Sequence, residues 1–332
     1  MTQTRFDVAA LGNAIMDVIA SVEDRFLEDM DIPKARMNMI DETRADMLYE
    51  ALPEDRIETS GGSAGNTIAC LRSFGASAAF MGKVAQDALG NAYRQDMENI
   101  GAAFFGEPLV NGPSTARSMI AVTPDGERSM NTFLGASTEF EANDISEDIV
   151  TNSDWLYLEG YLFDKPAAKT AFVHASEIAV KAGRKVAVTL SDVFCVERHR
   201  DAFRHLVRTH VDLVFGNEAE ILSLYETDDF DAAIAQLQQE TRFAAITRSE
   251  KGAVVIDGDR KIVVPTEPVE KVIDATGAGD AYAGGFLFGL SRNLDLETCA
   301  KLGNLAAGEV IQQYGPRPSR NLLEIARGRG LL

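Results

Sequence analysis

The most informative part of this chain is DATGAGDA, residues 274–281, which runs directly into the apolar segment YAGGFL, residues 282–287. Small residues let a backbone approach a ligand closely. The apolar segment predicts a buried helix, and the backbone N–H groups of Ala278, Gly279 and Asp280 then lie at its positive end. Such an arrangement suits a site that holds a phosphate group beside a basic carboxylate, that of Asp280.

Two interpretations of this segment are open. In the first, Asp280 orients an attacking hydroxyl group and accepts its proton, while the N–H groups at the helix start hold the charge of a phosphoryl group in transfer. In the second, Asp280 only caps a glycine-rich helix. The segment lacks the GxxxxGK(S/T) pattern of a P-loop, and Tyr282 stands where a GxGxxG fingerprint would have its third glycine. The pattern therefore argues against both of these nucleotide-binding motifs.

Composition narrows the class of protein. The chain has 332 residues, of which 45% are hydrophobic, and 51 acidic against 32 basic residues give it a net charge of −19. That charge argues against nucleic acid or an anionic membrane as the main partner. The N-terminus has no apolar signal core, no apolar run is long enough to span a membrane, and Cys70, Cys195 and Cys299 form no CxxC pair. We therefore expect a cytoplasmic protein with reduced, mostly buried cysteines.

Strand-like and helix-like segments alternate along most of the chain. Residues 6–12, 154–159, 185–190 and 243–247 are predicted strands, and helix-like segments lie between them. This alternation predicts an α/β fold with a mostly parallel sheet that is covered by helices on both faces.

Two segments interrupt the alternation. Apolar residues are sparser and charges denser from residue 14 to residue 60, and residues 117–122 and 128–134 predict a hairpin. Segments that leave a sheet and return to it often build a lid. We therefore assign residues 1–12, 61–105 and 137–332 to a large core, and residues 13–60 and 106–136 to a lid that covers the substrate.

Two further segments suit an acceptor molecule with neighbouring hydroxyl groups. In GGSAGN, residues 61–66, the glycines allow close approach and the polar side chains offer hydrogen bonds; the alternative is a tight turn before a helix. In an extended segment Asn13, Ile15 and Asp17 share one face, so that Asp17 can accept two hydroxyl groups of a diol and Ile15 can pack on a ring. The alternative for Asp17 is a solvated acid in a loop.

A third segment suits a metal ion. Asn217 and Glu220 follow a predicted strand, lie one helical turn apart and so face the same way. At the C-terminal end of a parallel strand, such a pair can hold water molecules around Mg²⁺. The alternative is that Asn217 caps a helix and that Glu220 is exposed.

In this order the segments resemble the ribokinase (PfkB) family of ATP-dependent carbohydrate and nucleoside kinases, over nearly the whole chain. The most specific similarity is Thr276-Gly277-Ala278-Gly279-Asp280, which is similar to the anion hole and base of that family. The resemblance implies a ribokinase-like αβα sandwich with a mostly parallel central sheet and a smaller α/β lid, with MgATP as donor and Asp280 as base. One departure is Ala275, where the family signature usually has Thr or Pro.

Within the family the segments are most similar to the adenosine kinase branch, and this similarity implies further roles. The residues implied for the substrate are Asn13, Ile15, Asp17, Asn38, Ile40, Gly61, Gly62, Ser63, Asn66, Phe133 and Tyr161. The residues implied for ATP and Mg²⁺ are Asn217, Glu220, Thr247, Gly252, Thr276, Gly277, Gly279 and Asn304. The resemblance also implies that Arg128, on the lid hairpin, meets phosphate, and that Asp274 and Thr276 lie near a monovalent cation such as K⁺.

The acceptor segments carry no lysine or arginine, which an acidic substrate would require. We therefore expect a neutral diol as acceptor, and most specifically the 5′-hydroxyl group of a nucleoside, adenosine first. The alternatives are a neutral sugar such as ribose or fructose, or, from another class, a nucleotide-binding sensor without catalytic activity. The sequence leaves open whether the protein is a monomer or a homodimer.

Overall fold

The computed structural model describes residues 5–332, so the first four residues of the predicted core lie outside the described part. Its strands are β1 (Phe6–Leu11), β2 (Ile15–Ser21), β3 (Met37–Met39), β4 (Ile57–Ser60), β5 (Ala78–Met81), β6 (Ala103–Phe105), β7 (Ala116–Val122), β8 (Arg128–Phe133), β9 (Ser153–Glu159), β10 (Lys185–Thr189), β11 (Leu213–Asn217), β12 (Phe243–Thr247), β13 (Ala253–Asp257) and β14 (Arg260–Val264). Its α-helices are α1 (Asp24–Asp29), α2 (Glu42–Ala51), α3 (Ser63–Ser73), α4 (Ala88–Asn99), α5 (Glu147–Thr151), α6 (Pro166–Lys181), α7 (Val193–His210), α8 (Glu218–Tyr225), α9 (Phe230–Glu240), α10 (Ala278–Ser291), α11 (Leu296–Val310) and α12 (Leu322–Gly328).

Nine strands form one large sheet in the order β14-β13-β12-β11-β10-β9-β1-β5-β6. All neighbours from β12 to β6 pair in parallel, whereas β13 pairs antiparallel with both β12 and β14 at one edge. The predicted strand at residues 243–247 coincides with β12, and the predicted α/β class is confirmed. The antiparallel edge was not predicted, although Gly258-Asp259 between β13 and β14 is typical of a tight hairpin turn.

Helices cover both faces of the large sheet. On one face α3, α10 and α11 enclose a core that includes Ile68, Phe286 and Leu302. On the other face α6, α7 and the helices that follow enclose a second core, which includes Phe172 and Phe203. Because both faces of the sheet are apolar and covered, its strands are nearly continuous hydrophobic runs. The predicted ribokinase-like αβα sandwich is therefore confirmed.

A second sheet has five strands in the order β3-β8-β7-β2-β4. The predicted hairpin is present, because β7 and β8 pair antiparallel from Arg117 opposite Phe133 to Val122 opposite Arg128. One face of this sheet packs on α1 and α2 through a small core that includes Leu27 and Leu48. All five strands lie within residues 15–60 and 116–133, inside the two segments assigned to the lid, and the other face of the sheet turns towards the large sheet.

Helix α10 lies unusually close to its neighbours. A Cβ atom at Gly285 would lie 2.4 Å from the carbonyl oxygen of Leu302 on α11, and one at Gly284 would lie 2.7 Å from the Cβ atom of Cys70 on α3. Only glycine permits such close approach of one helix to another. Two consecutive glycines of α10 thus let it lie close to both α3 and α11.

Within residues 5–332, no helix has the length and apolar character needed to cross a membrane. Cys70, Cys195 and Cys299 are all buried, which confirms the prediction for the cysteines. Burial raises the pKa of the Cys299 thiol to about 12, so this group is a neutral part of the core.

Candidate active site

A cavity of about 1120 Å³ lies between the two sheets. It is lined by the C-terminal ends of the parallel strands, by the N-terminal ends of α3 and α10, and by one face of the second sheet. Ligands bind at this end of a parallel sheet in open α/β folds. The predicted site residues that line it are Asn13, Ile15, Asp17, Gly62, Ser63, Asn66, Tyr161, Asn217, Glu220, Thr247, Gly252, Thr276, Gly277, Ala278, Gly279, Asp280 and Asn304.

The start of α10 has the geometry of an anion site. Gly277 precedes the helix with a φ of +76°, and a Cβ atom there would lie 2.4 Å from the Cβ atom of Pro316. No other residue fits this position, because the left-handed backbone and the proline both exclude a side chain. The first N–H groups of a helix have no acceptor within it, and Gly277, Ala278 and Gly279 at this helix start line the cavity.

The carboxylate of Asp280 is held from both sides. Ser63 donates to Oδ1 of Asp280 at 2.6 Å, and the amide nitrogen of Asn66 donates to Oδ2 at 3.1 Å. Burial raises the pKa of Asp280 to about 6, although these two bonds and the charge of Arg317 oppose the rise. The carboxylate is therefore ionised at neutral pH and oriented, which is the state that a general base requires.

Asp17 lies on β2 and is a second buried carboxylate of the cavity. Burial raises its pKa to about 6; the guanidinium groups of Arg317 and Arg128 lower it, and the charge of Asp280 raises it. Because Asp17 is buried, the alternative of a solvated acid in a loop is wrong for this residue.

Gly61 follows β4, the strand next to β2. Its N–H donates to the carbonyl oxygen of Ile15 at 2.7 Å, and the residue lies outside the lining of the cavity.

Glu159, at the end of β9, is a cavity residue that the sequence did not reveal. Its carboxylate accepts from the backbone and side chain of Asn13 at 3.2 and 2.9 Å, and from the backbone of Ala64 at 2.8 Å. Burial raises its pKa to about 7, and the same bonds oppose the rise. Glu159 therefore ties the link between β1 and β2 to the start of α3. It ends an apolar strand, and nothing in its local sequence distinguishes it from an exposed acid.

Asn217 and Glu220 form a reciprocal cap at the start of α8. The side chain of Asn217 accepts from the N–H of Glu220 at 2.9 Å, and the carboxylate of Glu220 accepts from the N–H of Asn217 at 3.0 Å. Asn217 is thus a helix cap, yet Glu220 is buried rather than exposed, and burial raises its pKa to about 7. The described hydrogen bonds of Glu220 are those with Asn217, and a buried carboxylate at the cavity wall fits a hydrated divalent cation. Among residues 5–332, no group of three or more His, Cys, Asp or Glu residues is placed so that it could hold a metal ion.

Arg128 connects the second sheet to the segment before α10. Its guanidinium forms an ion pair with Asp274, and both side chains are buried. The Nε and Nη2 atoms of Arg128 have no hydrogen-bond partner in the described part of the chain. Asp274 also accepts from the N–H groups of Thr276 at 3.0 Å and Gly315 at 2.9 Å. Neither Arg128 nor Asp274 lines the cavity, and the carboxylate of Asp274 already has three partners.

Three predicted substrate residues lie on the wrong side of the second sheet. Asn38 hydrogen-bonds to β8, and Ile40 and Phe133 pack on the core under α1 and α2. Because side chains alternate along a strand, the neighbours of these residues line the cavity instead: Met37 and Met39 beside Asn38 and Ile40, and Thr132 and Leu134 beside Phe133. The structure therefore corrects the assignment of Asn38, Ile40 and Phe133 by one residue of register.

The second sheet gives the cavity a soft apolar wall. Met37, Met39, Met130 and Ile120 line it, and across from them Phe194 at the start of α7 has 70% of its surface exposed. Methionine side chains adapt to flat ligands of varied outline. Asp17 and Asn13 are at one end of this wall, so the cavity combines an apolar surface with a polar one.

Fold and cavity together define a kinase with the ribokinase-like architecture. The chain belongs to the pfkB family of carbohydrate kinases, whose sequence model matches residues 49–322. It is similar over 99% of its length to the solved structure of a probable sugar kinase from Rhizobium etli, with 48% identity, complete coverage of that chain and a TM-score of 0.91.

Two further relatives carry a more specific name. The adenosine kinase from Sinorhizobium meliloti is 50% identical over 98% of this chain and 99% of its own, with a TM-score of 0.90. Adenosine kinase 2 from Arabidopsis thaliana is 26% identical over 92% of this chain and 93% of its own. The predicted resemblance to the adenosine kinase branch is confirmed.

Proposed function

We propose that the protein is an ATP-dependent kinase that phosphorylates the 5′-hydroxyl group of a nucleoside, with adenosine as the first candidate. The observation that supports this most is the pairing of two unlike walls in one cavity. Asn13 and Asp17 suit the hydroxyl groups of a ribose, whereas Met37, Met39 and Phe194 suit the faces of a base. A free sugar would leave this apolar wall uncovered.

Asp280 is the general base of the proposed reaction. The 5′-hydroxyl group gives its proton to the Asp280 carboxylate while its oxygen forms a bond to the γ-phosphorus of ATP. The bond from that phosphorus to the oxygen bridging the β- and γ-phosphates breaks, and ADP leaves. The N–H groups of Ala278, Gly279 and Asp280 stabilise the charge on the phosphoryl group as it moves.

The donor occupies the part of the cavity lined by Thr247, Gly252 and Asn304. Asn217 and Glu220 would hold Mg²⁺ through water, because both residues line the cavity and the carboxylate of Glu220 is buried. When bound, the ion supplies positive charge to the phosphates. A monovalent cation at Asp274 and Thr276 stays a prediction from resemblance alone.

The second sheet is the lid of this proposal, with residues 13–60 and 106–136 closing over a core of the remaining chain. Arg128 lies at the start of β8 beside Asp274 and reaches the segment that leads into the anion site. Once a movement of the lid brings them to the cavity, the Nε and Nη2 atoms of Arg128, which have no partner in the described part of the chain, would suit an incoming phosphate. Closure excludes water, which would otherwise hydrolyse ATP. The cytoplasmic location and the choice between monomer and homodimer stay predictions from the sequence.

A kinase for a neutral sugar is the second candidate, and the name of the Rhizobium etli relative supports it. A thermal-shift panel of nucleosides and free sugars, followed by analysis of the phosphorylated products, separates the two. We expect stabilisation and 5′-phosphorylation with adenosine. Stabilisation by ribose or fructose and by no nucleoside would reverse the order. ATP binding without transfer to any acceptor would favour the inactive sensor instead.

A further inference from the structure

Arg317, in the turn between α11 and α12, is joined to three other elements. Its Nη1 donates to the hydroxyl group of Ser60 at the end of β4 at 2.6 Å, and lies 3.4 Å from the carboxylate of Asp96 on α4. Its Nε donates to Oδ1 of Asn66 on α3 at 3.3 Å. The side chain is largely buried and lies outside the cavity lining, so it does not contact the reactants.

The contact between Arg317 and Asn66 determines which way the amide of Asn66 points. An arginine has only donors, so it must face the amide oxygen. The amide nitrogen of Asn66 then faces Asp280, where it donates to Oδ2 at 3.1 Å. With the amide reversed, Asn66 would present its oxygen to a carboxylate, and the two would repel each other. Arg317 therefore fixes the orientation of a group that holds the proposed base.

The contact between Arg317 and Ser60 lies at the boundary between residues 13–60, assigned to the lid, and the core segment that begins at residue 61, a boundary that we call the hinge of the lid. Ser60 is the last residue of β4, and its N–H donates to Asp96 at 2.8 Å. The next residue, Gly61, accepts a hydrogen bond at its carbonyl oxygen from Tyr93 on α4 at 3.1 Å. Arg317 and α4 thus hold the short link between the last lid strand and α3, the helix that carries Asn66.

The positive charge of Arg317 also acts on Asp280. Arg317 lowers the pKa of Asp280 against the larger effect of burial, which raises it to about 6. The other titratable groups that act on Asp280 or feel its charge come from several elements: Asp17, Cys70, Tyr157, Glu159, Tyr161 and Glu220. Among the groups named here, Arg317 is the only cation.

We propose that Arg317 is a positioning residue that couples the hinge of the lid to the orientation of the Asp280 carboxylate. This inference rests on the proposed function, in which Asp280 is the base. It predicts two separate effects of losing Arg317. The rate at the pH optimum falls because Asn66 no longer holds the base, and the acid limb of the pH profile moves to higher pH because the nearby positive charge is lost.

The test compares Arg317→Met, Arg317→Lys and, as a matched control, Arg320→Met in the full chain. Arg320 lies in the same turn but is exposed and pairs with Glu309. We expect Arg317→Met to lower kcat about 100-fold, as a small misplacement of a reacting group can, with a smaller change in KM for ATP. Its acid limb should move to higher pH, because the positive charge that lowers the pKa of Asp280 and Asp17 is lost. Arg320→Met should match the unmodified protein.

Arg317→Lys keeps the charge but not the planar set of donors, so kcat should fall while the acid limb stays in place. This variant also carries the test if Arg317→Met does not fold by circular dichroism. Unchanged kcat in either variant would overturn the inference, as would an unmoved acid limb in a folded Arg317→Met. The unmodified protein is assayed with every acceptor that it phosphorylates. If the unmodified protein phosphorylates no nucleoside, the proposed function is wrong. If the unmodified protein and all three variants have the same kcat and the same acid limb, only the role of Arg317 is wrong.

Discussion

The hydroxyl oxygen of Ser63 lies 2.6 Å from a carboxylate oxygen of Asp280, although 217 residues separate them in the chain. Ser63 is the first residue of α3, and Asp280 lies in the first turn of α10. Two helix N-termini therefore converge on one carboxylate, and both positive ends favour its ionised form. This convergence keeps a deeply buried carboxylate usable as a base near neutral pH.

Replacing the base is the most direct test of the site. We expect Asp280→Asn to fold normally and to lose about two to four orders of magnitude in kcat, the usual contribution of a general base. Asp295→Asn is the matched control, because Asp295 caps the start of α11 outside the cavity lining. Steady-state kinetics and circular dichroism measure the two effects. Near-native turnover of Asp280→Asn would remove this residue from the mechanism.

Activity should fall with acid in a range set by the buried carboxyls. Asp280 and Asp17 both have pKa values of about 6, raised mainly by burial, and each must be ionised to accept a proton or a hydroxyl hydrogen bond. Since the two charges interact, the titration belongs to the pair. The logarithm of kcat against pH should therefore bend near pH 6 and fall below it. A profile that stays flat down to pH 5 would contradict these assignments.

Stability should show the opposite dependence on pH. Glu159 and Glu220 have pKa values of about 7 in the folded chain, above those of an unfolded glutamate, so the folded state binds more protons between about pH 4.5 and pH 7. Their contribution to stability is complete below about pH 4.5 and is lost as the pH rises through 7. Melting temperatures across this range should fall less steeply in Glu220→Gln than in the unmodified protein.

Glu220 should also control the metal requirement. Removing its charge with Glu220→Gln is expected to raise the Mg²⁺ concentration needed for half-maximal activity about 10- to 100-fold, as is usual for groups that act on a metal through its bound ligands. Glu218→Gln is the control on the same helix, because Glu218 pairs with Arg248. A Mg²⁺ titration at saturating ATP makes the measurement. An equal shift in both variants would argue against a specific role for Glu220.

The two residues of the ion pair between the lid and the core, Arg128 and Asp274, should differ in how much stability is lost when each is replaced. After Arg128→Met, Asp274 still accepts from Thr276 and Gly315, whereas Asp274→Asn leaves the buried charge of Arg128 without its partner. Asp274→Asn should therefore destabilise the fold by about 3–5 kcal/mol, and Arg128→Met by less. Urea denaturation of both variants gives the comparison. The reverse order would show that Arg128 is satisfied by groups other than Asp274.

Much of this architecture is predictable from local sequence, because the alternation of apolar strands and helices and the small residues at 274–281 act over short distances. Asp280, Asn13 and Asp17 could be selected for the same reason, since each lies in a segment whose chemistry is visible by itself. In the lid, the sequence did not show which side chains of a short strand face the cavity and which face the opposite side. β3 has three residues, and a register error of one residue exchanged Met37 and Met39 for Asn38.

The residues that the sequence did not reveal are those whose partners are distant in the chain. Arg317 contacts Asn66 across 251 residues, and Glu159 contacts Asn13 across 146. Neither residue belongs to a motif, and an isolated arginine in a turn or an acid at a strand end is ordinarily exposed to solvent. Only the tertiary arrangement turns them into parts of the site.

The glycines of α10 give the molecule a fixed reference point. With Gly284 against Cys70 and Gly285 against Leu302, α10 is packed against α3 and α11 without room for a side chain at either position. We therefore expect that, when the lid closes, the elements around α10 move and α10 itself keeps its place. The position of the phosphoryl group relative to Asp280 would then be set by the one helix whose packing leaves it fixed.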